Sequence, residues 1–255
     1  MSKNKKVIIS FIAVFSLLWS QNPWRDQSVQ NEMIEKKPAR DMSKPVEWGY
    51  LDSLAGVYYL DQVPYSGPVI KQLEIGLLTG EFKAGLKNGL WQTLNKIGQP
   101  IMIGHFKDGK KHGLWTTYYS NQQIKDIGTY ENGVYNGKWT FYYENGEKEK
   151  EGTLRDGNAH DKWIFYNEKG KKTQEGSFNE GLKNGKWIAY FEDGKLTEGE
   201  YKDGKKDGTW TSWWDYDKTR KEMQGSYKSG KMVDKWYFYN NKGNLKEIRY
   251  FSPVF

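Results

Sequence analysis

The chain has 255 residues, a formal net charge of +7, only 36% hydrophobic residues and no cysteine, yet it carries 28 glycines, 12 tryptophans and 18 tyrosines. So few aliphatic residues exclude a large α/β-enzyme core, and 16% aromatic residues exclude simple disorder, because disordered chains are poor in aromatics. Without cysteine there are no disulfides, thiolate zinc sites, cysteine nucleophiles or lipid-bearing N-terminal cysteine.

Taken in chain order, Lys3, Lys5 and Lys6 precede an uncharged run over residues 7–19, followed by the small Ser20. This is the pattern of a secretory signal peptide over residues 1–20. The run is too short to cross ~30 Å of hydrocarbon as a helix. The expectation is an exported chain, residing in the periplasm, on the cell surface or outside a bacterium. Loss of the leader lowers the net charge from +7 to +4, which speaks against a nucleic-acid partner. Residues 21–46 are polar, contain Pro23, Pro38 and Pro45, show no periodicity, and read as a spacer. Residues 47–79 read as a degenerate first repeat or N-terminal cap, with Tyr58-Tyr59-Leu60 and residues 65–69 echoing the pattern that follows.

Residues 80–248 form seven repeats of about 24 residues, and residues 249–255 form the C-terminal end. Trp91, Trp115, Trp139, Trp163, Trp187, Trp210 and Trp236 mark the register, each with a glycine eleven residues earlier: Gly80, Gly104, Gly128, Gly152, Gly176, Gly199 and Gly225. A fixed period of this length means a stacked repeat architecture. Each unit has two short strand patterns joined by turn pairs such as Asp108-Gly109 and Asp203-Gly204. In the sixth unit the strands are expected near 198–202 and 209–214, with the lysine-bearing box between them in the turn. The predicted fold is all-β: an elongated antiparallel array of β-hairpins, a single-layer meander of roughly 70 Å at about 4.8 Å per strand.

Such a sheet must bury aromatic rings rather than aliphatic ones. The seven tryptophans are the expected structural ladder. Alternation along the strand puts Trp139, Phe141 and Tyr143 on one face and Tyr142 on the other. The row three residues after each Trp, Tyr118, Tyr142, Tyr166, Tyr190, Trp213 and Tyr239, is a candidate binding trough. Lys110, Lys111, Lys205 and Lys206, with Lys87, Lys183 and Lys231, are the other candidate: a basic strip along the turns for anionic lipid, glycan or an acidic partner. No metal site is expected. There are three histidines, and His112 and His160 hold the same position two units apart, about 20 Å at strand spacing. No HExxH, G-x-S-x-G, Walker or G-x-G-x-x-G motif occurs, so neither catalysis nor a cofactor is expected.

The units resemble MORN repeats, in the bacterial MORN-variant form called the YwqK-type family. Residues 109–113 (GKKHG) and 204–208 (GKKDG) are similar to that family's G-K-x-x-G box, and the Glu-Gly entries at Glu151-Gly152, Glu175-Gly176 and Glu198-Gly199 and the Trp-x-x-Tyr strand are similar to its variant form. The resemblance covers about residues 80–248. It implies a hairpin solenoid that binds proteins or membranes, and members are often labelled antitoxin components. The functional expectation is therefore an exported, non-catalytic scaffold for protein or cell-envelope binding. An antitoxin-like neutraliser of a toxin or effector and a glycan-binding module stand as alternatives.

Overall fold

A computed structural model of the chain describes residues 41 and 43–252. The predicted signal peptide, most of the predicted spacer and residues 253–255 lie outside the described residues.

The strands are β1 Val46–Glu47, β2 Asp52–Leu54, β3 Val57–Leu60, β4 Val63–Pro64, β5 Gly67–Leu73, β6 Gly76–Lys83, β7 Leu86–Asn95, β8 Pro100–Lys107, β9 Lys110–Tyr118 and β10 Ile124–Glu131. They continue as β11 Val134–Tyr142, β12 Lys148–Arg155, β13 Asn158–Tyr166, β14 Lys172–Asn179, β15 Leu182–Tyr190, β16 Leu196–Lys202, β17 Lys205–Trp213, β18 Lys221–Lys228, β19 Lys231–Tyr239 and β20 Leu245–Phe251. β5 to β20 pair each with the next as antiparallel hairpins, β1 adds to β5 in parallel, and the resulting 17-stranded sheet is not closed. β2, β3 and β4 form a separate three-stranded sheet. The architecture is the all-β hairpin meander expected, with two strands per repeat.

Two boundaries differ from the sequence reading. Val46, assigned to the spacer, pairs with Val69 and is buried in a cluster with Tyr65, Val69, Phe82 and Trp91. The second strand of the sixth unit begins at Lys205, not near 209. The reason lies in the turn. Asp203 and Gly204 both have positive φ, +50° and +77°, so they make a complete two-residue hairpin turn and the strand restarts at once. The lysine-bearing box is therefore strand, not turn.

The repeated glycines are not strand entries either; they sit in mid-strand. Each lies directly under the tryptophan of the following strand, as Gly128 lies opposite Trp139 and Gly176 opposite Trp187. A Cβ on any of the seven would come within 2.0–2.3 Å of the indole Cδ2. Only glycine leaves room for the ring to lie against the backbone. The tryptophan strand also carries two extra residues just before the ring: Gly128 faces Trp139, but the next rung joins Thr129 to Asn136. The ladder is interrupted there, and the indole Nε1–H donates to the carbonyl beside the glycine in every unit, from Trp91 to Glu81 O through Trp236 to Ser226 O, at 2.9–3.2 Å. The bulge opens the carbonyl and the indole closes it, so this carbonyl and the buried indole N–H satisfy each other.

The result is a buried aromatic zipper. The seven tryptophans are 1–5% exposed. They alternate edge-to-face with Phe82, Phe106 and Tyr130, then with Phe178, Tyr201, Tyr227 and finally Phe251, at centroid separations of 5.0–6.4 Å. In the fourth unit Leu154 takes the aromatic place. There Phe141 carries the contact instead, stacked at 5.8 Å on Trp139 and 6.4 Å on Trp163. At the N-terminal end Val69 stands opposite Gly80 where a tryptophan would stand, and Trp48 closes the zipper against Tyr58, Phe82 and Trp91. Successive turns are tied together as well: the turn glycine N–H donates to a carbonyl of the preceding unit, from Gly109 to Lys87 through Gly230 to Lys206, at 2.8–2.9 Å.

The bulge residue before each tryptophan has positive φ. It is Gly89, Gly113, Gly137, Gly185 or Gly208 in five units, but Asp161 (+57°) and Asp234 (+59°) in the other two. A left-handed conformation costs an aspartate roughly 1 kcal/mol that glycine escapes. Asp161→Gly is therefore expected to raise thermal stability slightly, by up to about 1 kcal/mol, in calorimetry, whereas Asp161→Val lowers it.

Candidate binding surface

The sheet has two unlike faces. Residues directly opposite share a face and neighbours along a strand alternate. One face, the Trp face, holds the zipper. The other, the Tyr face, holds the row Tyr118, Tyr142, Tyr166, Tyr190, Trp213 and Tyr239 at the ends of the second strands. All six are half-buried, and successive members are two strands, about 10 Å, apart.

The lysine candidates do not form one strip. Lys110 and Lys205 open their strands and are exposed beside the turn. Lys111 and Lys206, one residue further on, fall on the Trp face by alternation. Their ammonium groups sit over the rings of Trp115 and Trp210 at 4.3 and 4.1 Å, as Lys87 does over Trp91 at 4.7 Å and Lys183 over Trp187 at 3.8 Å. Their stems cover the indoles and their charges meet the ring quadrupoles. Burial lowers the pKa of all four, and Lys87 and Lys183 are lowered further by the neighbouring lysines Lys111 and Lys206. The expected turn row is thus a lid on the zipper for Lys87, Lys111, Lys183 and Lys206. In the third unit Tyr135 fills that place, 4.7 Å from Trp139.

On the Tyr face the central units carry a charged lattice. Tyr166 and Tyr190 donate their hydroxyls to Glu151 and Glu175, both at 2.6 Å. Lys148 pairs with Glu151 at 2.8 Å, Lys162 with Glu175 at 2.9 Å, and Lys186 and Lys218 with Glu198 at 2.9 and 2.7 Å. Lys162, Glu175, Ser177, Lys186 and Ile188 line an open hollow of about 250 Å³. The Tyr190 hydroxyl, with Lys162 and Lys172, holds the Glu175 carboxyl down at about 2, against the opposing effect of burial. Burial and the Glu151 carboxylate push the Tyr166 hydroxyl up to about 12. Leu196 is fully buried, paired with Tyr190 on one side and Trp213 on the other.

The same columns are apolar near the N-terminal end. Leu90 and Leu114 stand where Lys138, Lys162 and Lys186 stand later, and Ile103 and Ile127 where Glu151, Glu175 and Glu198 stand. Leu90 and Leu114 are 49% and 54% exposed. The Tyr face therefore changes along the array from greasy to charged. In the sequence this signal lies at the residues just before each Trp and each glycine, outside the aromatic and lysine rows.

The absence of a histidine pair rested on His112 and His160, but His105 and His112 are directly opposite each other in β8 and β9. Among the described residues no three His, Asp or Glu side chains come together as metal ligands.

No family model and no curated protein matches the chain.

A lowered carboxylate pKa is a stability term with a definite sign. Glu175 titrates below its ordinary 4.5 in the folded chain, so its contribution is complete above about 4.5 and is lost as the pH falls toward 2. Tyr190→Phe is expected to cost about 1.5–3 kcal/mol at neutral pH, the range for a hydrogen bond to a charged group. In urea titrations the gap between wild type and variant narrows as Glu175 becomes protonated. A gap independent of pH contradicts the assignment.

Proposed function

We propose that the chain is an exported, non-catalytic repeat scaffold that binds a protein or another cell-envelope component through its Tyr face. One observation carries the reading. The Trp face is closed by its own zipper and by Lys87, Lys111, Lys183 and Lys206, whereas the Tyr face offers half-buried rings, exposed Leu90 and Leu114 and a charged lattice along one continuous sheet. Ring-bearing surfaces with an apolar patch beside fixed polar groups suit macromolecular partners. The basic strip for anionic lipid or glycan is the weaker reading, because Lys111 and Lys206 are spent on indole rings. Export rests on the leader pattern of residues 1–20, and the resemblance to MORN-variant repeats agrees with a binding role.

The test is retention of envelope components on the immobilised chain. A variant with Tyr142, Tyr166 and Tyr190 all changed to Ala, with wild-type tryptophan fluorescence, is expected to lose the retained component, and Tyr135→Ala on the opposite face to keep it. Equal retention by the triple variant overturns the Tyr-face reading.

A further inference from the structure

The two ends of the array are finished differently. At the N-terminal end β1, Trp48 and the three-stranded sheet close the zipper. At the C-terminal end β20 pairs, among the described residues, with β19 alone. Among the described residues nothing pairs with its other edge, and Leu245, Ile248 and Tyr250 are 52%, 40% and 72% exposed. A bare edge strand is a template for another strand.

β20 is the first strand of an eighth unit, and among the described residues no second strand follows it. Arg249 faces Trp236 as Gly152 faces Trp139, so it holds the glycine position. In every other unit that glycine makes room for the tryptophan of the next strand. Arg249 fills the space, with its guanidinium 4.7 Å from the Phe238 ring. No further tryptophan strand can lie over β20, so the array cannot be extended by another repeat in the same register.

The edge is, however, complementary to itself. A two-fold antiparallel pairing must centre on a residue, because successive rungs alternate between hydrogen-bonded and non-hydrogen-bonded types. Centring on Glu247, Arg249 or Lys246 sets like charges directly against each other. Centring on Ile248 sets Glu247 against the partner's Arg249 twice, with Ile248 on the axis and the partner's Tyr250 beside Lys246, the residue at which β20 bulges. The rungs from Glu247 to Arg249 then each meet a suitable neighbour. The charged pairs fall on the Trp face, where Glu247 and Arg249 already bond at 2.8 Å within one strand. Tyr250 lies on the Tyr face, where Lys235 is already 5.6 Å from its ring.

We propose that two copies of the chain join β20 to β20 about Ile248, making one continuous sheet with both Tyr faces on the same side. The inference is independent of what the Tyr face binds.

Sedimentation equilibrium of the full chain tests it. Wild type is expected to reach twice the chain mass at micromolar concentration. Glu247→Arg and Arg249→Glu each set like charges across the axis and are expected to weaken self-association at least about tenfold. Mixed together, these two variants regain opposite charges on every rung and are expected to form a one-to-one heterodimer, which neither could do if merely misfolded. The double exchange E247R/R249E is expected to restore the homodimer. A wild type that stays at the single-chain mass, or a dimer indifferent to both single changes, overturns the proposal.

Discussion

Gly176→Ala is expected to lower the stability of the chain by about 3 kcal/mol or more, at the upper end of what overpacking a core costs. The added methyl meets Trp187 Cδ2 at 2.2 Å. The indole has nowhere to retreat. Its Nε1–H is bonded to Ser177 O at 2.9 Å, Phe178 lies at 5.0 Å and Tyr201 at 6.0 Å. Either the ring leaves its slot, exposing it and orphaning the carbonyl, or β14 and β15 separate. The checks are a lower urea midpoint and a red-shifted tryptophan emission. Gly49→Ala is the control, because a methyl there meets nothing within 4 Å and glycine holds an ordinary φ. If the two variants unfold at the same midpoint, the glycines are present for some reason other than the rings above them.

Trp163→Ala is expected to cost about 3–5 kcal/mol and to divide the unfolding transition in two. The magnitude is that of emptying a buried large aromatic site. The division follows from the position. Repeat arrays are held by nearest-neighbour interfaces, and the zipper is thinnest where Leu154 interrupts it, with Phe141 as its bridge to Trp163. Removing Trp163 cuts that bridge, leaving the Trp91–Trp139 and Trp187–Trp236 segments to melt separately. Calorimetry should show two components in place of one. The converse change, Leu154→Tyr, completes the edge-to-face column and is expected to add about 0.5–1.5 kcal/mol. A single unshifted transition in Trp163→Ala contradicts the ladder as the source of cooperativity.

The fold was legible because its rules are local and repeated. The Trp period, the Asp-Gly turns and the aromatic strand ends suffice to define hairpins, and nothing else in the chain competes with them. The errors came from reading residues singly. Lys206 looks like a turn lysine until the turn is counted as two residues; it is then the second strand residue and must face Trp210. The same count, outward from Asp108-Gly109, pairs Lys107 with Lys110, Phe106 with Lys111 and His105 with His112, the pair that comparing His112 with His160 could not show. Gly176 looks like a flexible entry residue, but its requirement is space, which only the cross-strand partner reveals. Val46 was hidden for a different reason: its strand has two residues and pairs in parallel, too short for any periodicity. The Tyr row was visible, but its tethering to Glu151 and Glu175 depends on columns on neighbouring strands, fifteen residues apart along the chain.

The central claim is that the two faces have different tasks, packing on one and binding on the other. Photo-crosslinking in cells producing the chain tests it most directly, with a photoreactive aromatic residue placed at Lys162 on the Tyr face or at Tyr135 on the Trp face, both of them exposed. The expected result is a discrete crosslinked product from position 162 and none from position 135. A product from position 135 alone would show that the Trp face, not the Tyr face, meets the partner.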